Sequence, residues 1–337
     1  MQILSSQSQY TATSQILQLF GSNQTSSTLS ASASYTSQSQ GRHDCGHGHN
    51  GHGHGRAVRD ALGAIFELVA TGSNDTITHN ATGNTISRIA AGDGDDTVTA
   101  SVEGAASVSG GDGNDTIALS GGRVRADGGD GNDAISVSGH RASASGGAGN
   151  DAIAVAGERI GRVSGGSGDD AISVAGARVR RVSGGSGNDV IAVAGQTIGR
   201  VSGGSGDDTI SVTGGWIGRV YGGDGDDTIS VSANHTGLIS GGAGDDLISI
   251  EGEALVAFAA GDGQDTIMIS DRTEFAILGE QWGDEVMTLD DASFTFEDGM
   301  MTVTFEGRDE KLTILAPGGG DMKLEITGDR TFVLTPA

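Results

Sequence analysis

Ten aspartates return every 18 or 19 residues through the middle of this 337-residue chain, at Asp96, Asp115, Asp133, Asp151, Asp170, Asp189, Asp208, Asp227, Asp246 and Asp265. Each follows a glycine-rich approach, as in Gly203-Gly204-Ser205-Gly206-Asp207-Asp208, and each is followed two residues later by Ile or Val. A carboxylate recurring beside freely turning backbone is a donor set for a hard cation. Calcium takes about six to eight oxygen ligands at roughly 2.3–2.6 Å and accepts carboxylates and backbone carbonyls alike. Glycine, lacking a Cβ, reaches φ > 0 and lets a loop aim its carbonyls at one point. The candidate calcium ligands are therefore the ten aspartates together with the loop glycines Gly111, Gly113, Gly129, Gly131, Gly147, Gly149, Gly166, Gly168, Gly185, Gly187, Gly204, Gly206, Gly223, Gly225, Gly242 and Gly244.

A single Gly-x-Gly-x-Asp is most often a turn. Ten copies in register are a different object. Carboxylates about 5 Å apart in stacked loops repel by roughly 1–3 kcal/mol per pair, and each ordered glycine costs about 0.5–1 kcal/mol. Such an array folds poorly without a cation between its turns, and ten loops leave nine gaps, hence about nine ions. With Kd near 10⁻⁴ M, millimolar calcium contributes ~1.4 kcal/mol per site. Nine such sites sum to roughly 13 kcal/mol, the size of a whole domain's stability. At sub-micromolar calcium the contribution vanishes. Ala91 and Ala260 replace the first glycine of the terminal loops, and Gly72-Ser73-Asn74-Asp75-Thr76-Ile77 is a degenerate copy that starts the stack without a full site.

The elements that must position these loops follow from the residues between them. After each aspartate, two apolar residues alternate with small polar ones, as in Ile172 with Val174, Ile191 with Val193 and Ile210 with Val212, the period of a half-buried strand. A second strand precedes each loop and contributes Ile89, Val108, Val163, Val182, Val201, Val220, Ile239 and Phe258. The predicted fold is all-β: a parallel β-roll or β-helix solenoid of about ten 18–19-residue turns, near 50 Å long at ~4.8 Å per turn. Residues 71–270 form it. Residues 1–55, rich in Ser, Gln, Thr, Gly and His, are predicted to be a disordered tail. Val58, Leu62, Ile65, Phe66 and Val69 fall on one helical face, which predicts a capping helix over 56–70. From 271 to 337 the pattern becomes alternating strands broken by Asp298-Gly299 and Gly318-Gly319-Gly320, which predicts a small antiparallel β cap.

The repeat Gly-Gly-x-Gly-x-Asp-x-(apolar)-x resembles the nonapeptide of the repeat-in-toxin, or RTX, family, over about 180 residues. The resemblance implies a secreted protein that binds calcium through these loops and leaves the cell by type I secretion machinery, reading an uncleaved signal in the C-terminal region. One departure is plain. The alternate half-turn, as in Val174-Ala175-Gly176-Ala177-Arg178-Val179, has neither the glycines nor the aspartate of a paired nonapeptide, so only one edge is predicted to bind calcium.

Composition agrees. A formal net charge of −25 argues against nucleic acid as a partner. Cys45 is the lone cysteine, which excludes an internal disulfide framework and leaves extracellular stability to metal. No apolar stretch approaches the roughly 18 residues of a transmembrane segment, and the first ten residues lack the basic start and apolar core of a cleaved signal peptide. The chain is therefore either cytosolic or exported by a route that does not read its N-terminus. The calcium arithmetic and the resemblance favour a place outside the cell or at its surface, and no enzymatic activity is expected, since no catalytic motif precedes or interrupts the repeats. Two further readings remain. His43, Cys45, His47, His49, His52 and His54 could hold a transition metal. Arg88, Arg125, Arg162, Arg181, Arg200 and Arg219 occupy one outward position before the loops and could bind an acidic polysaccharide or a cell surface.

Overall fold

The computed structural model describes residues 15–18, 27–34, 65–70, 72–259, 261–277, 289, 292–297, 299–305, 308–316, 321–328 and 330–336. The strands are β1 (Gln15–Gln18), β2 (Ser27–Ser34), β3 (Ile65–Val69), β4 (Asp75–Thr82), β5 (Ile86–Asp93), β6 (Thr97–Asp112), β7 (Thr116–Asp130), β8 (Ala134–Ala148), β9 (Ala152–Ser167) and β10 (Ala171–Ser186). There follow β11 (Val190–Ser205), β12 (Thr209–Asp224), β13 (Thr228–Ala243), β14 (Leu247–Phe258), β15 (Gln264–Ile269), β16 (Thr273–Ile277), β17 (Ala292–Glu297), β18 (Met300–Phe305), β19 (Lys311–Leu315), β20 (Met322–Gly328) and β21 (Thr331–Pro336). All described regular structure is strand.

From β6 to β13 each strand is one complete turn of a parallel solenoid, bent at its middle. In β10, Ile172 and Val174 point inward from one wall, the chain bends through Gly176, and Val179 and Val182 point inward from the other. Ile172 lies opposite Ile153 and Ile191, and Val182 opposite Val163 and Val201, so identical side chains form columns along the axis. Both aliphatic walls read from the sequence are present and buried. The column of Ile160, Val179, Ile198 and Ile217 was not read from the sequence. Two outward residues, Arg180 and Arg181 in β10, separate it from the next inward position and break the alternation that would have revealed it.

Counted by their aspartates from Asp75 to Asp265, the turns number eleven, because the degenerate copy at Asp75 enters the stack through β4, which pairs in parallel with β6. The helix expected over 56–70 is corrected where it is described: Ile65–Val69 is strand β3, parallel to β5. Phe66, Leu68 and Ala70 alternate toward the interior, and an open sheet end offers unpaired N–H and C=O groups that a strand can satisfy and a helix cannot. Residues 56–64 lie outside the described residues. The disorder expected over 1–55 is likewise corrected for two segments, since β1 pairs with β3 and β2 with β4, both in parallel. The remainder of that tail, including the histidine-rich tract, lies outside the described residues.

At the other end the antiparallel cap is present and attaches to each wall separately. Strand β19 adds in parallel to β15, and β21 adds antiparallel to β16. Stacked rings fill the joint: Phe258 with Phe305 at 5.7 Å, Phe275 with Phe332 at 4.9 Å, and Phe294 edge-on to Phe332 at 5.6 Å. The last coil is thereby sealed.

The columns make a direct prediction. Ile210 is fully buried, so Ile210→Ala is expected to cost about 2–5 kcal/mol, measured as a lower urea midpoint at fixed millimolar calcium. Ser211→Ala, on the outer face, is expected to stay within about 0.5 kcal/mol of the parent.

Candidate metal centre

Each loop is shaped by three different demands for glycine, seen at 203–208. Gly204 and Gly206 hold φ of 144° and 113°, values that L side chains rarely adopt. A Cβ on Gly204 would also strike the carbonyl oxygen of Gly185 in the turn before. A Cβ on Gly203 would strike Asp208 Oδ2. The first glycine therefore makes room for a carboxylate, the second allows close stacking, and the third serves the turn.

The ten predicted aspartates are brought together in one buried row, each at most 4% exposed. Their two oxygens have different fates. Oδ1 accepts the backbone N–H of the corresponding aspartate one turn earlier, as in Asp189 N–H to Asp208 Oδ1 at 2.7 Å. This ladder runs unbroken from Asp75 to Asp265. Oδ2 of Asp96, Asp115, Asp133, Asp151, Asp170, Asp189, Asp208, Asp227 and Asp246 is buried with no hydrogen-bond partner. Nine orphaned carboxylate oxygens in a line are not a stable arrangement for a protein at neutral pH without a counter-charge.

Backbone oxygens converge on the same places. The point where a Cβ on Gly222 would lie is flanked by Asp227 Oδ2 and, at 2.5 Å, by the carbonyl oxygen of Gly241 in the next turn. The corresponding carbonyls at Gly110, Gly128 and Gly165 come from Gly128, Gly146 and Gly184. Among the described residues no three His, Cys, Asp or Glu side chains cluster tightly enough to hold a metal alone. The donor set is one carboxylate per turn with main-chain carbonyls, which suits calcium and not a thiolate- or imidazole-seeking ion.

A second row escaped the sequence reading. The residue before each aspartate, Asp95, Asn114, Asn132, Asn150, Asp169, Asn188, Asp207, Asp226 or Asp245, accepts through Oδ1 the N–H of its counterpart one turn later, for example Asp226 N–H to Asp207 Oδ1 at 2.9 Å. It lies at the exposed rim and runs opposite to the buried ladder. The signal was the recurrence of Asn or Asp at that position in every turn before the last, where Gln264 stands; both are short enough to bond backbone locally.

Burial raises the row's carboxyls above their ordinary 3.8; the bonded N–H opposes this, and neighbouring carboxylates add to it. The result is about 6 at Asp96, Asp115 and Asp208, about 7 at Asp151, Asp189, Asp227 and Asp246, and about 8 at Asp265. Asp133 and Asp170 are raised for the same reason. Elsewhere, His79 Nε2 lies 2.8 Å from Ser87 Oγ, but both residues are fully buried, with the His79 ring stacked on Phe66, so this pair is closed to substrate.

Of the predicted arginines, Arg162, Arg181, Arg200 and Arg219 stand on consecutive rungs. Arg88 and Arg125 are separated by Ser107, and Arg125 meets Asp127 at 3.6 Å. Arg123, Arg141, Arg159 and Arg178 form another row that the sequence reading missed.

A family model described as the RTX calcium-binding nonapeptide repeat (4 copies) matches residues 109–139 and 219–234, which contain the loops of Asp115, Asp133 and Asp227. No curated protein matches the chain. The parallel solenoid and this match fit an RTX repeat protein, and the matched segments are calcium-binding repeats of that kind.

The raised carboxyls fix a pH dependence. The folded state binds these protons more tightly than the unfolded chain, so metal-free folding gains stability as pH falls; the gain is complete below about 4 and lost as pH rises through 6 to 8. Circular dichroism in chelator is expected to show more β-structure near pH 5 than near pH 8. A metal-free signal that is equal or stronger at the higher pH would contradict it.

Proposed function

We propose that the ten aspartates and the glycine carbonyls of their loops hold a column of about nine calcium ions, and that the chain is exported unfolded and folds outside the cell. The observation that carries the reading is the line of nine buried, unpartnered Oδ2 atoms, all but that of Asp96 beside a loop glycine. Bound calcium supplies the positive charge and the oxygen coordination that these atoms lack. The chain's own part is to present one carboxylate per turn, fix it through Oδ1, and crowd carbonyls against it by means of glycine. Magnesium is a poor substitute, since it demands near-octahedral geometry and sheds water reluctantly.

The link between calcium and folding sets the compartment. Sub-micromolar calcium leaves the row uncompensated, whereas millimolar calcium stabilises every turn. A protein that stays unfolded inside the cell and folds outside suits export by type I secretion machinery, with its signal in the C-terminal region. Among the described residues no helix is long and apolar enough to cross a membrane. The role we infer is that of a non-enzymatic structural or surface protein.

Titration with calcium from chelator is expected to produce β-structure cooperatively between about 0.1 and 1 mM; an identical spectrum with and without calcium would defeat the proposal. Asp189→Ala and Asp208→Ala, in the middle of the stack, are expected to weaken or split the transition, while Asp75→Ala, in a loop lacking the full glycine set, moves it little. For export, removing about the last 60 residues is expected to abolish secretion and removing residues 1–55 to leave it intact, assayed by the protein found in the medium. Secretion that survives the C-terminal deletion would refute the route.

A further inference from the structure

The solenoid carries one feature that calcium does not use. Five arginines, Arg162, Arg180, Arg181, Arg200 and Arg219, line an open groove of about 680 Å³ on the second wall together with Trp216. Among the described residues none of the five makes an ion pair, although the chain as a whole carries 25 negative charges in excess. A cluster of unanswered cations on an acidic protein is a place where an anion belongs.

The groove is also built, beyond being charged. Its floor is glycine: a Cβ at Gly218 would lie 3.2 Å from the Trp216 ring, so the missing side chain lets the indole lie along the sheet. Trp216 remains 46% exposed, a flat apolar face beside the guanidinium row. Arg200 is held with its guanidinium 4.4 Å over the Tyr221 ring, and its Nε is buried with no partner. Arginine fixed on an aromatic face is pre-organised for carboxylate or sulfate.

We infer that this groove binds an anionic polysaccharide. The row of Arg162, Arg181, Arg200 and Arg219 presents one cation per rung, about every 4.8 Å. A glycan with roughly one carboxylate or sulfate per sugar offers charges at a comparable interval, and the apolar face of a pyranose stacks on Trp216. Duplex nucleic acid carries one charge per ~1.7 Å, far denser than one cation per rung, and the chain's net charge of −25 opposes it. Single strands are usually held by successive aromatic platforms, and here one indole is exposed. The groove belongs to the folded solenoid, so its assay is run in millimolar calcium with circular dichroism confirming the fold.

The test uses chondroitin sulfate octasaccharide, which bears about one charge per sugar and does not gel with calcium, on the full chain carrying Trp282→Phe so that Trp216 alone reports. Glycan addition is expected to change Trp216 fluorescence saturably, with affinity that falls steeply with salt. Replacing Arg162, Arg181, Arg200 and Arg219 with Gln is expected to weaken binding about tenfold or more at unchanged calcium-induced folding. Trp216→Ala, read by sedimentation with the labelled glycan, is expected to weaken it severalfold even at high salt. Should the quadruple variant misfold, Arg180→Gln and the parent's fluorescence titration still decide. No saturable response in the parent, undiminished binding by the folded quadruple variant, or tighter binding of an oligothymidylate of equal charge would each overturn the inference.

Discussion

A buried carboxylate whose first oxygen is bonded to the turn below and whose second has no donor is the constraint on which this molecule depends. Repeated along the axis, it leaves one buried oxygen per turn unanswered from Asp96 to Asp246, a cost that a proton or a cation would offset. The rest of the loop follows from it. Gly203 is small because Asp208 Oδ2 occupies the space of its side chain, and Gly204 is small because Gly185 stacks beneath it. Ile210 faces inward two residues after Asp208, so the same short segment that places the carboxylate also starts the apolar wall.

The two Asx ladders bind neighbouring turns in opposite senses. The buried row accepts N–H groups from the turn before, and the rim row accepts them from the turn after. A turn in the middle of the stack is therefore fixed from both sides, while a terminal turn lacks one neighbour. This is the one-dimensional coupling of repeat proteins, in which ends need separate covering. The C-terminal cap meets that need with a parallel strand on one wall and an antiparallel strand on the other, joined by stacked phenylalanines. At the N-terminus β3 and β2 continue the two walls.

Much of this was legible in the residues. The aspartate period gave the turn length, the Ile and Val pairs gave both walls, and the paired glycines gave the loops, because each signal recurs in the same register many times. What was hidden lies where a local pattern has two readings. Ile65, Phe66 and Val69 satisfy a helical face when joined to Val58 and Leu62, yet Phe66, Leu68 and Ala70 also alternate, and the open sheet edge above β5 decides for the strand. Val179 and its column were concealed by the two adjacent outward residues that follow it. The rim row was overlooked because the position alternates between Asn and Asp, whereas their shared ability to accept a backbone N–H is the reason both occur.

A solenoid turns any residue repeated at one position into a line, and the same geometry has opposite consequences for the two signs of charge here. Aspartates in the interior cannot splay or gather water, so their raised carboxyls stay in conflict with folding until protonated or paired with a cation. Arginines on the outer wall have long stems; Arg162 and Arg219 are exposed to solvent, which screens their mutual repulsion, and Arg200 is held over the Tyr221 ring. The acidic line therefore opposes folding unless it is neutralised, whereas the basic line adds little cost to the folded state. Because the cationic row is registered by the same rungs that the carboxylate ladder locks together, its spacing exists only in the folded protein. Recognition of any extended anion by that face thus depends on the fold that the carboxylate ladder locks together.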